Sequence, residues 1–99
     1  MYKISDKLYN NNKGYIYIPI SWREEFQLSN GAEVGIDLVD GILTIDKNLT
    51  REYIQKITSK GKLTIPYDLR QKLSYQTYNI YIIHSIERVI LVPDHLSID

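Results

Sequence analysis

Lys60-Gly61-Lys62-Leu63-Thr64-Ile65-Pro66, followed by Arg70, answers an earlier stretch of the same chain: Lys13-Gly14-Tyr15-Ile16-Tyr17-Ile18-Pro19, followed by Arg23. Lys, Gly, Ile, Pro and Arg recur at one constant spacing of 47 residues (Gly61 against Gly14), which marks two copies of one structural unit. In each copy a glycine turn feeds a short alternating strand, a proline stops it, and a cationic helical turn follows. The alternation sends Ile16 and Ile18, and in the second copy Leu63 and Ile65, to one face. Tyr15 and Tyr17, and Lys62 and Thr64, go to the other.

Working outward, Tyr2 to about Tyr9 reads as a first strand, closed by the turn Asn10-Asn11-Asn12-Lys13-Gly14. After Pro19 a helix of about two turns reaches Gln27, with Trp22 and Phe26 spaced i, i+4 on its buried face. So short a helix needs tertiary anchoring. Ser29-Asn30-Gly31 ends it, and Val34, Ile36 and Leu38 alternate into a hairpin that turns at Asp40-Gly41 and returns over Ile42 to Ile45. The second copy repeats the order: Tyr53 to Ile57, the turn Thr58-Ser59-Lys60-Gly61, Lys62 to Ile65, then a helical turn. There Leu69 and Leu73 are expected to be buried, and Arg70 and Lys72 open to solvent. A last hairpin runs from about Asn79 to His84 and from Arg88 to Pro93, without an Asp-Gly turn.

A chain of 99 residues has room for one small core, so the repeats 1–47 and 48–94 must share it within a single domain, 1–99. A hydrophobic content of 43% with only 3 prolines points to a folded chain. No cysteine is present, which removes disulfides, thiolate metal sites and thiol nucleophiles. The N-terminus lacks an apolar signal region and no apolar run is long enough to span a membrane, so a cytoplasmic protein is expected. Asn48-Leu49-Thr50 matches a glycosylation sequon but reads as a polar turn between the repeats.

Net charge is zero, yet it is unevenly spread: +1 over 1–28, −3 over 29–50, +4 over 51–72 and −2 over 73–99. A neutral protein can thus carry a local basic patch, centred on the second copy. His84, in an expected strand, and His95 have no partners at metal-ligand spacing. Glu24-Glu25 reads as a solvated helical face, and most of the 9 tyrosines as sheet packing. No nucleophile-base pair or phosphate-cradling loop is visible, so neither catalysis nor a metal or cofactor is expected.

Each unit resembles the AbrB/MazE/SpoVT swapped-hairpin family, whose pattern is a turn ending in Gly-Arg/Lys, a strand ending Ile-Pro, a short helix containing Leu-Arg, and an Asp-Gly hairpin. Gly61-Lys62-Leu63-Thr64-Ile65-Pro66 with Leu69-Arg70 fits closely; Gly14 to Pro19 with Trp22-Arg23 fits more loosely. The resemblance covers about nine tenths of the chain. It implies a mainly β fold with short helices, in which two repeats interlock as a swapped-hairpin barrel within one chain. It also implies a transcriptional regulator that binds double-stranded DNA, nucleoid-associated in the cytoplasm. Lys13, Arg23, Lys56, Lys60, Lys62, Arg70 and Lys72 are the candidate DNA contacts, with the second copy leading. Lysines can meet phosphates, and an arginine fork can meet a phosphate or a guanine edge.

The copies are unequal at this face: Tyr15 holds the place that Lys62 has in the second copy, Glu24 that of Gln71 and Glu25 that of Lys72. Arg23 could instead pair with the acids of its own turn. An alternative is therefore a protein-interaction module that modulates another regulator of the same family or acts as an antitoxin. The short tail after Pro93 weakens the antitoxin version. A homodimer is possible under either reading.

Overall fold

In the computed structural model, which describes residues 1–96, the chain folds as a mainly β protein. The strands are β1 (Tyr2–Asn10), β2 (Tyr15–Tyr17), β3 (Glu33–Val39), β4 (Ile42–Asp46), β5 (Tyr53–Lys56), β6 (Lys62–Thr64), β7 (Thr77–Ile83) and β8 (Arg88–Pro93). Two short helices, α1 (Ile20–Glu25) and α2 (Tyr67–Arg70), follow Pro19 and Pro66. Six strands form one antiparallel sheet in the order β1-β7-β8-β4-β3-β5, while β2 and β6 make a separate two-stranded ribbon. The sheet is open, with β1 and β5 as its edges.

Strand order mixes the two halves. β1 of the first half pairs with β7 of the second, with Tyr9 opposite Tyr78, and β5 of the second pairs with β3 of the first, with Tyr53 opposite Ile36. The hairpins β3–β4 and β7–β8 meet along β4 and β8, Leu43 facing Leu91. In the ribbon, Ile16 faces Leu63, residues that hold the same place in the two copies. Ile18 N–H donates to the Gly61 carbonyl at 2.9 Å and Ile65 N–H to the Gly14 carbonyl at 2.8 Å, so each copy completes the other's turn.

The core lies where the alternation puts it. Ile16, Ile18, Leu63 and Ile65 pack with Val34, Ile36, Leu43, Ile45, Ile82 and Leu91 in one cluster, all nearly or fully buried. Each such side chain contributes roughly 1.5–3 kcal/mol on leaving water. Neither half alone contains both sides of this cluster. Hence the halves form one core rather than two.

Some local expectations needed correction. α1 stops at Glu25 instead of reaching Gln27, whose left-handed φ of 57° breaks the helix. Phe26 is buried as expected, but Trp22 is only half-buried, and Leu73 likewise; both helices are too short to turn a second row of side chains into the core. His84 leaves the strand: His84–Ile86 form a single 3-10 turn, with Glu87 left-handed at φ 50° closing the hairpin that lacks Asp-Gly. The Asp40-Gly41 turn behaves as read, both residues left-handed (φ 52° and 80°) as a two-residue hairpin loop requires. β1 spans its expected length with a register irregularity between Lys3 and Leu8.

The segment joining the repeats is held by charge. Asp46, 8% exposed, accepts from Arg51 Nε (2.7 Å) and Nη2 (2.8 Å), from Arg88 Nε (2.9 Å) and from the Asn48 amide (3.1 Å). Arg51 reaches on to Asp37 at 3.1 Å, and Asp37 in turn accepts the Glu52 amide. Burial opposes ionisation of Asp46, but the hydrogen bonds from Arg51, Asn48 and Arg88 outweigh it and lower its pKa to about 2. The joining segment passes so close over Gly35 that any β-carbon there would overlap the Asn48 carbonyl. Asn48 of the sequon forms a turn, accepting the Thr50 amide and hydroxyl at 3.0 and 2.7 Å.

Candidate nucleic-acid interface

The ribbon fixes which side chains look outward. With Ile16 and Leu63 turned into the core, the opposite face of β2 and β6 presents Tyr15 beside Thr64 and Tyr17 beside Lys62. Lys62 Nζ stands 4.4 Å over the Tyr15 ring, and the Tyr15 and Tyr17 rings meet edge-on with centroids 5.6 Å apart. The lysine thus lies against an aromatic face, with no carboxylate pairing among the described residues. Lys13 and Lys60 sit exposed in the two glycine turns that flank the ribbon, also without ion pairs among the described residues.

The arginines of the repeated motif cross between copies. Arg70, at the end of α2, lies over Gly14, so closely that a β-carbon at Gly14 would overlap its guanidinium. Its Nη2 donates to the Asn11 and Asn12 carbonyls at 2.6 and 3.1 Å, while Asn11 Nδ2 donates back to the Arg70 carbonyl at 3.2 Å. Tyr9 hydroxyl donates to Asn11 Oδ1 at 2.8 Å. Burial pushes the Tyr9 pKa up to about 12 even though neighbouring Arg70 favours the phenolate, so it stays a neutral donor at ordinary pH.

Arg23 does the reciprocal thing. It lies over Gly61, with Nε donating to the Ile18 carbonyl at 2.9 Å and Nη1 to the Ser59 carbonyl at 3.4 Å. It does not pair with the acids of its own turn. Both glycines are left-handed, φ 78° and 81°, which together with the overlying arginine leaves no room for a side chain. The constant Gly-to-Arg spacing is thus a clamp between copies, and Arg70 is half-buried rather than open to solvent as its place on the helical turn suggested. Arg70 Nε, buried, has no partner among the described residues, whereas its counterpart on Arg23 holds Ile18.

Of the seven candidate cations, the fold gathers Lys13 with Arg70 at one turn, and Lys60 and Lys62 with Arg23 at the other. Lys56 lies exposed on edge strand β5, in register with Glu33. Lys72 is drawn elsewhere: it sits 3.5 Å from Glu52 and over the Tyr53 ring at 5.8 Å. Those two neighbours, Tyr53 first, raise its pKa. Sequence reasoning missed the Tyr9–Asn11–Arg70 network and the contact of His84 Nε2 with Glu25 Oε1 at 2.8 Å, which joins residues 59 apart in sequence. No periodic signal encodes contacts of that range.

No family model, curated protein or solved structure matches the chain. Among the described residues no group of His, Cys, Asp or Glu is placed to hold a metal ion, and no helix is long and apolar enough to cross a membrane. The class that fold and surface define is a mainly β domain with two interleaved halves and a tyrosine-lysine ribbon framed by cationic turns.

Proposed function

We propose that the protein is a DNA-binding transcriptional regulator of the AbrB-like, swapped-hairpin class, contained in one chain and acting in the cytoplasm. The observation that carries this reading is the exchange of strands and clamps between the halves. β1 pairs into the second half and β5 into the first, and each motif arginine closes the other copy's glycine turn. The resemblance implies interlocked halves closed into a barrel; the strand exchange supports the interlocking, while the six-stranded sheet is open rather than closed. In the proposed complex, Lys60 and Lys62 meet phosphates first, Lys13 and Lys56 extend the track, and Tyr15 and Tyr17 lie against the backbone or sugars. Arg23 and Arg70 hold the turns in position and offer their remaining N–H groups. Lys72, paired with Glu52, contributes least.

A salt-resolved titration of duplex DNA tests the reading. Binding should weaken with salt at a log-log slope of roughly 0.9 per phosphate neutralised, and Lys60→Ala with Lys62→Ala should lower that slope by roughly 1.8 while costing no more stability than the Lys62–Tyr15 ring contact, about 1 kcal/mol or less. Absence of duplex binding at low salt, on random and AT-rich DNA alike, would sink it. A protein-interaction role is the second reading. It is favoured by Glu24 and Glu25, exposed where the second copy has Gln71 and Lys72. Recovery of a stoichiometric protein partner together with absent DNA affinity would promote it.

A further inference from the structure

Beside α1, Tyr2, Ser21, Trp22, Glu25 and His84 line an open cleft of about 300 Å³. Trp22 is its hub: the Tyr2 ring centroid lies 5.6 Å away and that of His84 5.8 Å away. The lining holds one carboxylate and no lysine or arginine. His84 Nε2 is 2.8 Å from Glu25 Oε1, a contact in which the Nε2-protonated neutral tautomer would donate to the carboxylate without cancelling its charge. Among the described residues the other Glu25 oxygen has no partner.

Trp22 and His84 pack on the buried Phe26 ring, at 5.5 and 6.1 Å between centroids, but the second copy anchors its helical turn without such a cluster. At the same places the second copy has Leu49 for Tyr2, Asp68 for Ser21, Leu69 for Trp22 and Lys72 for Glu25. Leu69 is 1% exposed, a sufficient core plug, whereas Trp22 keeps part of its indole outside the core and Tyr2 is 58% exposed. What sets this place apart from exposed aromatics such as Tyr67 is the grouping of Tyr2, Trp22 and His84 around one cleft beside the Glu25 carboxylate, which the second copy lacks at the matching positions.

We infer that this cleft binds an organic cation, an alkylammonium or guanidinium group, seated on the Trp22 and Tyr2 rings with its charge toward Glu25. Ring faces attract cations through their quadrupole, and the carboxylate supplies the directional charge. The inference stands apart from DNA binding, because the cleft contains none of the seven candidate DNA contacts.

Trp22 is the chain's single tryptophan and so reports on its own cleft. Its fluorescence and its indole N–H resonance would be followed at mildly alkaline pH. The titrants are choline, as a free ammonium; N-acetyl-arginine and N-acetyl-lysine methylamides, as side chains of a partner polypeptide; and 3,3-dimethylbutanol, choline's uncharged isostere. Saturable binding of at least one cation, with the isostere about tenfold weaker or more, supports the site, and the tightest cation identifies the source. Glu25→Gln, on an exposed side chain, should keep the melting temperature and weaken the cation about tenfold. Tyr2→Leu, which installs the second copy's residue, should weaken it further. No saturable response, equal binding of the isostere, or an unchanged affinity in Glu25→Gln would overturn the inference.

Discussion

At the scale of single residues, the two arginines of the repeat are clamps before they are contacts. Arg70→Ala should destabilise the protein by about 2 kcal/mol, since charge-assisted hydrogen bonds to the Asn11 and Asn12 carbonyls are lost and Tyr9 and Gly14 are uncovered. Arg23→Ala, with a longer second bond to Ser59, should cost less. Denaturant melts of both variants check the order; no loss in either would remove the clamp. Asp46 gives a pH prediction. Its pKa falls from 3.8 unfolded to about 2 folded, so the stabilisation is complete above 3.8, about 2 kcal/mol, and disappears as pH drops through 2. Asp46→Asn should flatten the acid limb of a stability-pH curve. The sequence displays Arg23, Arg70, Gly14 and Gly61 at a fixed spacing, but not that each arginine closes the other copy's turn. Nor does it display the Asp46–Arg51–Arg88 cluster, whose members share no periodic relation.

At the scale of elements, local chemistry explains most of what the sequence revealed. Proline shortly after the three-residue strands β2 and β6, the alternation within them, and Asp40-Gly41 each determine structure over a few residues, and each element formed near its expected place. Errors fell where tertiary contacts decide: the early end of α1, the half-exposed Trp22, and the 3-10 turn at His84. The pairing of β1 with β7 and of β5 with β3 depends on contacts about 70 and 20 residues apart, such as Tyr9 with Tyr78 and Tyr53 with Ile36, and no local pattern carries that choice. The turn elements are the most brittle. Gly14→Ala and Gly61→Ala should each cost about 2 kcal/mol or more, because the left-handed backbone and the overlying guanidinium both oppose a β-carbon. Gly31→Ala, left-handed with open space around it, should cost only the backbone strain, about 1 kcal/mol. Equal losses at all three sites, read by thermal melts, would contradict the clamp geometry.

At the scale of the whole molecule, the two halves are one folding unit with an uneven surface. Because the core cluster draws on both halves, fragments 1–47 and 48–99 should each be unfolded alone and should regain β structure, followed by circular dichroism, when mixed. An independently folded half would contradict the shared core. The shared fold orients a ribbon whose tyrosines come from one copy and whose free lysine comes from the other, so duplication supplies the architecture while divergence supplies the surface. The central claim is that this ribbon and its flanking turns receive duplex DNA. Amide chemical-shift mapping of the protein with a short duplex at low salt tests it most directly. The account predicts that the largest shifts fall on Lys13, Tyr15, Tyr17, Lys60 and Lys62 and fade as salt is raised. Absence of shifts, or shifts confined to the opposite face along β4 and β8, would contradict it.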